Sequence, residues 1–133
     1  MSAERYRPIR GSVSTLTYHF VWCPKYRRKV LTGAVAARLH VLIHERAAAL
    51  SLEIVALDVM PDHVHLFVQA PPTLAPQPIA NQLKGATARV LRDAFPHLRS
   101  HLPSLWSRSY YVGSAGAVSA DTIQRYLEQQ KAS

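Results

Sequence analysis

Apolar and polar positions alternate from Val13 to Trp22, with Leu16, Tyr18, Phe20 and Trp22 on one face and Thr15, Thr17, His19 and Val21 on the other. That period of two predicts a strand, and Pro24 ends it. After Gly33 the period changes: Val35, Leu39 and Leu42–Ile43 recur at helical spacing and predict a helix over Ala34–Leu50 with that stripe buried. Leu52–Met60 reads as a second strand that runs through the Pro61-Asp62 corner into a third, so these two form a hairpin. The third strand places His63, His65 and Phe67 on one face and Val64, Leu66 and Val68 on the other. The proline-rich stretch Ala70–Pro78 is a surface connection. Ile79, Leu83, Ala86 and Val90 then mark a second amphipathic helix, ending near Pro96. Gly85 inside it costs about 1 kcal/mol against alanine, which leaves open either close approach of a backbone or phosphate, or plain packing. Trp106–Val112 predicts a fourth strand, closed by the loop Gly113-Ser-Ala-Gly116. Ser119 caps a last helix over Ala120–Lys131, with Val118 and Ile123 as its hydrophobic staple.

The order βαββαβα implies one α+β domain over 1–133: a ferredoxin-like (RRM-like) βαββαβ unit with an added C-terminal helix at 118–133 and a loose arm at 1–11 carrying Arg5, Arg7 and Arg10. Both crossing helices would cover the face bearing Val64, Leu66 and Val68. His63 and His65 would then stand on the open face.

Charge narrows the partner. The net charge is +8, with a pI near 10.2, which favours a polyanion, and nucleic acid before a membrane surface. Lys25-Tyr-Arg-Arg-Lys29 is a basic run with an aromatic inside it, and Lys84 and Arg89 add positive charge on the second helix. Lys25, Tyr26, Arg27, Arg28, Lys29, Lys84 and Arg89 are therefore the candidate DNA contacts. Cys23 is the single cysteine, which excludes an internal disulfide and suits a reducing cytoplasm. The N-terminus lacks a signal-peptide apolar region and no run reaches membrane-span length, so a cytoplasmic protein is expected.

The chemistry centres on Met60-Pro-Asp-His-Val-His-Leu-Phe-Val68. Two imidazoles about 7 Å apart along one strand face can converge on one cation. Asp62 stands where it can hydrogen-bond a ring nitrogen and orient it. A metal site needs a third ligand. His40 and His44, four apart on the first helix, are a rival pair, but Glu45 lies on another face and they read as surface residues. His97 and His101 look incidental. On the last helix Tyr126 and Gln130 share a face at i, i+4. A His63, His65 and Gln130 set mixes nitrogen and oxygen donors and suits Mg²⁺ or Mn²⁺ with positions left for phosphate oxygens. Tyr126, one turn away, would be the phenol that attacks. Geometry alone leaves open a half-exposed strand with incidental histidines and an ordinary helix surface.

His63-Val-His65 together with Tyr126-Leu-Glu-Gln-Gln130 resembles the single-tyrosine HUH transposases, called TnpA, of insertion sequences in the 200/605 group. The similarity extends through Tyr18-His-Phe-Val-Trp-Cys-Pro-Lys-Tyr-Arg27, Val59–Leu66, Leu83–Arg89 and Trp106-Ser-Arg-Ser-Tyr110, in the same order. The resemblance implies His63, His65 and Gln130 as metal ligands and Tyr126 as the nucleophile that forms a 5′-phosphotyrosine link and leaves a free 3′-OH. It implies a ferredoxin-like fold and a homodimer with active sites shared between chains. It also implies single-stranded DNA with hairpins at the element ends as partner, and no need for ATP. Two alternatives keep parts of this reading: a domesticated HUH nickase, or a ferredoxin-like nucleic-acid-binding module without catalysis that stacks bases on Phe20, Phe67 or Tyr110.

Overall fold

The structure is a computed structural model, and it describes residues 8–9, 12–13, 16–100, 102–114 and 120–131. Arg5, Arg7, Arg10, His101, residues 115–116 of the expected loop, and the Ser119 cap with its Val118 staple lie outside the described residues. Within the arm expected to be loose, Pro8–Ile9 (β1) pairs antiparallel with Ser12–Val13 (β2).

Leu16–Trp22 (β3) is built almost wholly from aromatic, β-branched and leucine residues, and it forms an inner strand of the main sheet. His63–Ala70 (β5) pairs with it on one side and Tyr111–Ser114 (β6) on the other; Glu53–Met60 (β4) closes the far edge beyond β5. The order is β4-β5-β3-β6 and every neighbouring pair is antiparallel. Gly33–Ala49 (α1) and Pro76–Ala94 (α2) bury Val35, Leu39 and Ile43, and Ile79, Leu83 and Leu91, against Phe20, Trp22, Val64, Leu66 and Val68. The period-two reading of β5 holds: Val64, Leu66 and Val68 are buried, while His63, His65 and Phe67 are half-buried. On the edge strand β4 the register slips between Ile54 and Ala56, and the extra residue, Val55, is 47% exposed.

Three expectations are corrected. First, the helix expected from Ile79 begins at Pro76, because a first-turn residue needs no N–H for the helical ladder and proline's fixed φ suits that position. Second, the fourth strand is Tyr111–Ser114, not Trp106–Val112. Trp106 makes a single bridge to Pro24, and the carbonyls of Ser107, Arg108 and Ser109 turn to the Lys84 ammonium instead of to β3. Gly113 and Ser114, expected in a loop, take up the pairing opposite His19 and Tyr18. Third, Phe20 is fully buried in the core and offers no stacking surface; β3 is in fact covered on both faces, with Val21 and His19 buried as well. A short helix, His97–Ser100 (α3), follows α2.

Gly85 is exposed, and a Cβ built there meets nothing within 4 Å. Gly85→Ala is expected to stabilise the protein by about 0.5–1 kcal/mol, measured by thermal or denaturant unfolding. A lower melting temperature would contradict the open surroundings; normal stability with lost DNA binding would show that a ligand approaches the backbone here.

Candidate active site

The Pro61-Asp62 corner delivers β5 so that its first two outward side chains are the histidines. Their ring centroids lie 4.8 Å apart, nearly edge to face. Each ring has its Nδ1 engaged. His63 Nδ1 lies 2.7 Å from Asp62 Oδ1, and the other oxygen of Asp62 lies 2.7 Å from Arg27 Nε. Burial alone would raise the Asp62 carboxyl, but the His63 hydrogen bond and the Arg27 charge together hold it below its ordinary range. An ionised Asp62 can only accept, so the His63 ring donates to it from Nδ1 and turns Nε2 away from the carboxylate. His65 Nδ1 lies 3.0 Å from Nε2 of His19. Burial, followed by the neighbouring His63 and His19, pushes His65 down to about 4, and burial lowers His19 too. His65 is therefore neutral at physiological pH, the form in which imidazole binds metals.

The other candidate residues, Tyr126 and Gln130, lie on Ala120–Lys131 (α4). Leu127 is its buried apolar residue, and the helix packs beside the 3₁₀ turn Lys25–Arg27 of its own chain. In that turn Tyr26 and Arg27 have φ of 60° and 53°, left-handed values that strain a side-chain-bearing residue and that here aim Arg27 at Asp62. The Tyr126 hydroxyl donates to the Ser109 carbonyl at 3.1 Å, and the Ser107 hydroxyl donates to Gln130 Oε1. Gln130 is 7% exposed, so its amide oxygen is held in a fixed place. The segment that receives both side chains is itself fixed by Lys84, whose Nζ reaches the carbonyls of Ser107, Arg108 and Ser109 at 2.7, 3.3 and 3.2 Å. Burial pushes Lys84 down to about 8. Burial, with the adjacent Cys23, raises the Tyr126 phenol above its ordinary value, and burial raises the Cys23 thiol to about 11. Both stay protonated near neutrality. Beside burial, Tyr126 and the charges of Arg27, Asp62 and Lys84 act on the Cys23 thiol.

Among the described residues no group of three or more His, Cys, Asp or Glu side chains could hold a metal ion. His40 and His44 are exposed on α1, their rings 4.8 Å apart.

The basic candidates divide. Arg28, Lys29 and Arg89 are exposed, Tyr26 is 47% exposed, and Lys25 lies over the Tyr26 ring at 5.3 Å. Arg27 and Lys84 instead have partners inside the chain, Asp62 and the 107–109 carbonyls. Residues that sequence reasoning did not single out are His19, Cys23, Ser107 and Ser109. The alternation of β3 did put His19 on the face away from Phe20; nothing local showed that His65 would come opposite that face.

The family description Transposase IS200 like matches residues 12–130. The ISDra2 transposase TnpA of Deinococcus radiodurans is 42% identical over 123 residues, covering 91% of this chain and 88% of that protein. The transposase for insertion sequence element IS200 of Salmonella typhimurium is 28% identical over 119 residues, covering 86% of this chain and 78% of that protein. A crystal structure from Deinococcus radiodurans R1 superimposes with a TM-score of 0.88 at 41% identity, covering 93% of this chain and 97% of that one. A REP-associated tyrosine transposase bound to a REP hairpin shares the fold, with a TM-score of 0.58 at 19% identity over 96% of this chain and 69% of that one. No helix among the described residues is long and apolar enough to cross a membrane. On the family match and the 42% identical relative, the chain belongs to the IS200-like transposases, of the TnpA type found in IS200/605 elements.

Proposed function

We propose that this chain cleaves and rejoins single-stranded DNA at insertion-sequence ends, with Tyr126 as nucleophile and His63, His65 and Gln130 as ligands of a Mg²⁺ or Mn²⁺ ion. The architecture is the ferredoxin-like βαββαβ unit with α4 added as the catalytic helix. One observation carries the reading: both histidines have Nδ1 engaged, by Asp62 and by His19, so the ring nitrogens left to meet a metal are the two Nε2 atoms, on one strand face. The residues fit a hard divalent ion, since neutral imidazoles and a neutral amide oxygen leave its charge available to a phosphate. When bound, the ion supplies Lewis-acid polarisation of the scissile phosphodiester.

The chain's own groups do the rest. The Ser109 carbonyl holds the Tyr126 hydroxyl and Ser107 holds the Gln130 amide, so nucleophile and ligand are fixed one helical turn apart. As the Tyr126 Oη–P bond forms, the phenol proton leaves to solvent and the P–O3′ bond breaks; the 3′-oxygen takes up a proton and departs as a free hydroxyl. The linked phosphotyrosine retains the energy of the broken phosphodiester, so a second 3′-OH reverses the step without ATP. A homodimer that binds hairpins at the element ends completes the reading. Domesticated nicking is the variant in which the same chemistry has lost its mobile element. A binding module without catalysis would give no protein-linked DNA.

Changing either ligand histidine tests the metal assignment. His63→Ala and His65→Ala leave Val64, Leu66 and Val68 in the core, so both variants should fold. Each should weaken Mn²⁺ binding in calorimetry by more than the roughly 10–100-fold that loss of an outer hydrogen-bond partner costs. Unchanged affinity in both would remove this strand as the site.

DNA affinity should fall with salt. For Lys25, Arg28, Lys29 and Arg89 on a single strand, the log–log slope is expected near −2 to −3, at about −0.7 per phosphate contact. A flat dependence between low and physiological salt would refute backbone contacts from these residues.

A further inference from the structure

His19 is 2% exposed, lies flat on Phe67 with ring centroids 4.0 Å apart, and puts its Nε2 3.0 Å from His65 Nδ1. Its other nitrogen, Nδ1, is buried and has no hydrogen-bond partner among the described residues. The register explains the meeting: His19 faces Phe67 and Val21 faces His65 across β3 and β5, and the imidazole bridges the diagonal. Two neutral imidazoles share one proton in that hydrogen bond, so their tautomers cannot be chosen separately.

We propose that His19 is a positioning residue that sets the tautomer of His65, and that metal loading flips both rings together; the proposal rests on the reading of His65 as a ligand. In one arrangement His19 carries its proton on Nε2 and donates to His65 Nδ1. His65 then bears its proton on Nε2, where a metal would sit, and cannot ligate. In the other, the bridging proton belongs to His65 Nδ1, which donates it to His19 Nε2; the His65 Nε2 proton has left to solvent, freeing that lone pair, and a proton taken from solvent sits on His19 Nδ1. No net charge changes. The ligating arrangement turns the unpartnered buried atom of His19 from a bare nitrogen into an N–H donor, so the site is metal-ready only at the expense of that donor. His63 is free of this coupling, because an acceptor-only carboxylate fixes its tautomer. The two ligands of one site are thus held by different means: one permanently, one conditionally.

The test reads ring nitrogens, not turnover. Protein labelled with ¹⁵N in histidine is followed by long-range proton–nitrogen correlation spectra while diamagnetic Zn²⁺ or Mg²⁺ is added. Expected is a change of His65 to the Nδ1–H form with Nε2 bound, and a change of His19 from Nε2–H to Nδ1–H in the same titration. Alongside, His19→Phe keeps the ring stacked on Phe67 but removes the acceptor, and should weaken Mn²⁺ binding about tenfold with the melting temperature retained. His19→Gln offers an acceptor near the same place and should recover part of that loss. If His65 binds metal while His19 keeps its tautomer, or if Phe and Gln at position 19 bind Mn²⁺ as tightly as histidine, this proposal is overturned and the metal reading stands. If His65 shows no response to metal, both fall.

Discussion

Tyr126→Phe is expected to fold, to bind metal and single-stranded DNA, and to form no covalent DNA adduct. The substitution removes one oxygen. Its ring keeps its place near Tyr111, at 6.5 Å between centroids, and Leu127 still docks the helix. The lost hydrogen bond to the Ser109 carbonyl is worth about 0.5–1.5 kcal/mol, too little to unfold a domain whose core lies elsewhere. Catalysis has no such margin: removing a covalent nucleophile should lower cleavage by at least about a thousandfold. The wild-type phenol is itself held protonated by burial and Cys23, so an undirected tyrosine would react poorly. An adduct persisting at full yield in the variant would move the nucleophile to Tyr110 or Tyr111.

Mixing two inactive chains should restore activity. In the single chain, α4 rests on its own Lys25–Arg27 turn and on the Ser107 and Ser109 groups. A partner's α4 entering by exchange would make the same contacts. On the proposed shared-site dimer, a chain carrying His63→Ala and His65→Ala is mixed with a Tyr126→Phe chain. One site of the mixed dimer has lost both halves; the other joins intact histidines to an intact tyrosine. Cleavage should return at about half the sites of mixed dimers when subunits exchange at random. Absent cleavage after confirmed exchange would mean that each site is built within one chain.

Which parts of this were legible in the sequence follows from the range of the interactions. On β5 one face is packed against α1 and α2, so burial imposes a strict period of two and the outward set His63, His65 and Phe67 could be read directly. The helical stripes of α1 and α2 were legible for the same reason. The Trp106–Val112 stretch carries a strand-like composition too, yet Lys84, more than twenty positions away, takes three of its carbonyls. No local pattern reports that. His19 shows the limit most clearly: its partner His65 is 46 residues distant, and only the pairing of β3 with β5 brings the rings together. Arg27 read as part of a basic run, but the left-handed turn at Tyr26 and Arg27 aims it inward at Asp62.

The central claim is that Tyr126 becomes covalently joined to DNA. The protein is incubated with end-labelled single-stranded DNA carrying an element end, in Mg²⁺ or Mn²⁺, denatured, digested with protease, and the DNA-linked peptide identified by mass spectrometry. Expected is a metal-dependent adduct in which the phosphate joins Tyr126 to the new 5′ end made at the break, with a free 3′-OH on the released upstream strand. DNA bound but never linked, or a link to any other residue, would contradict it.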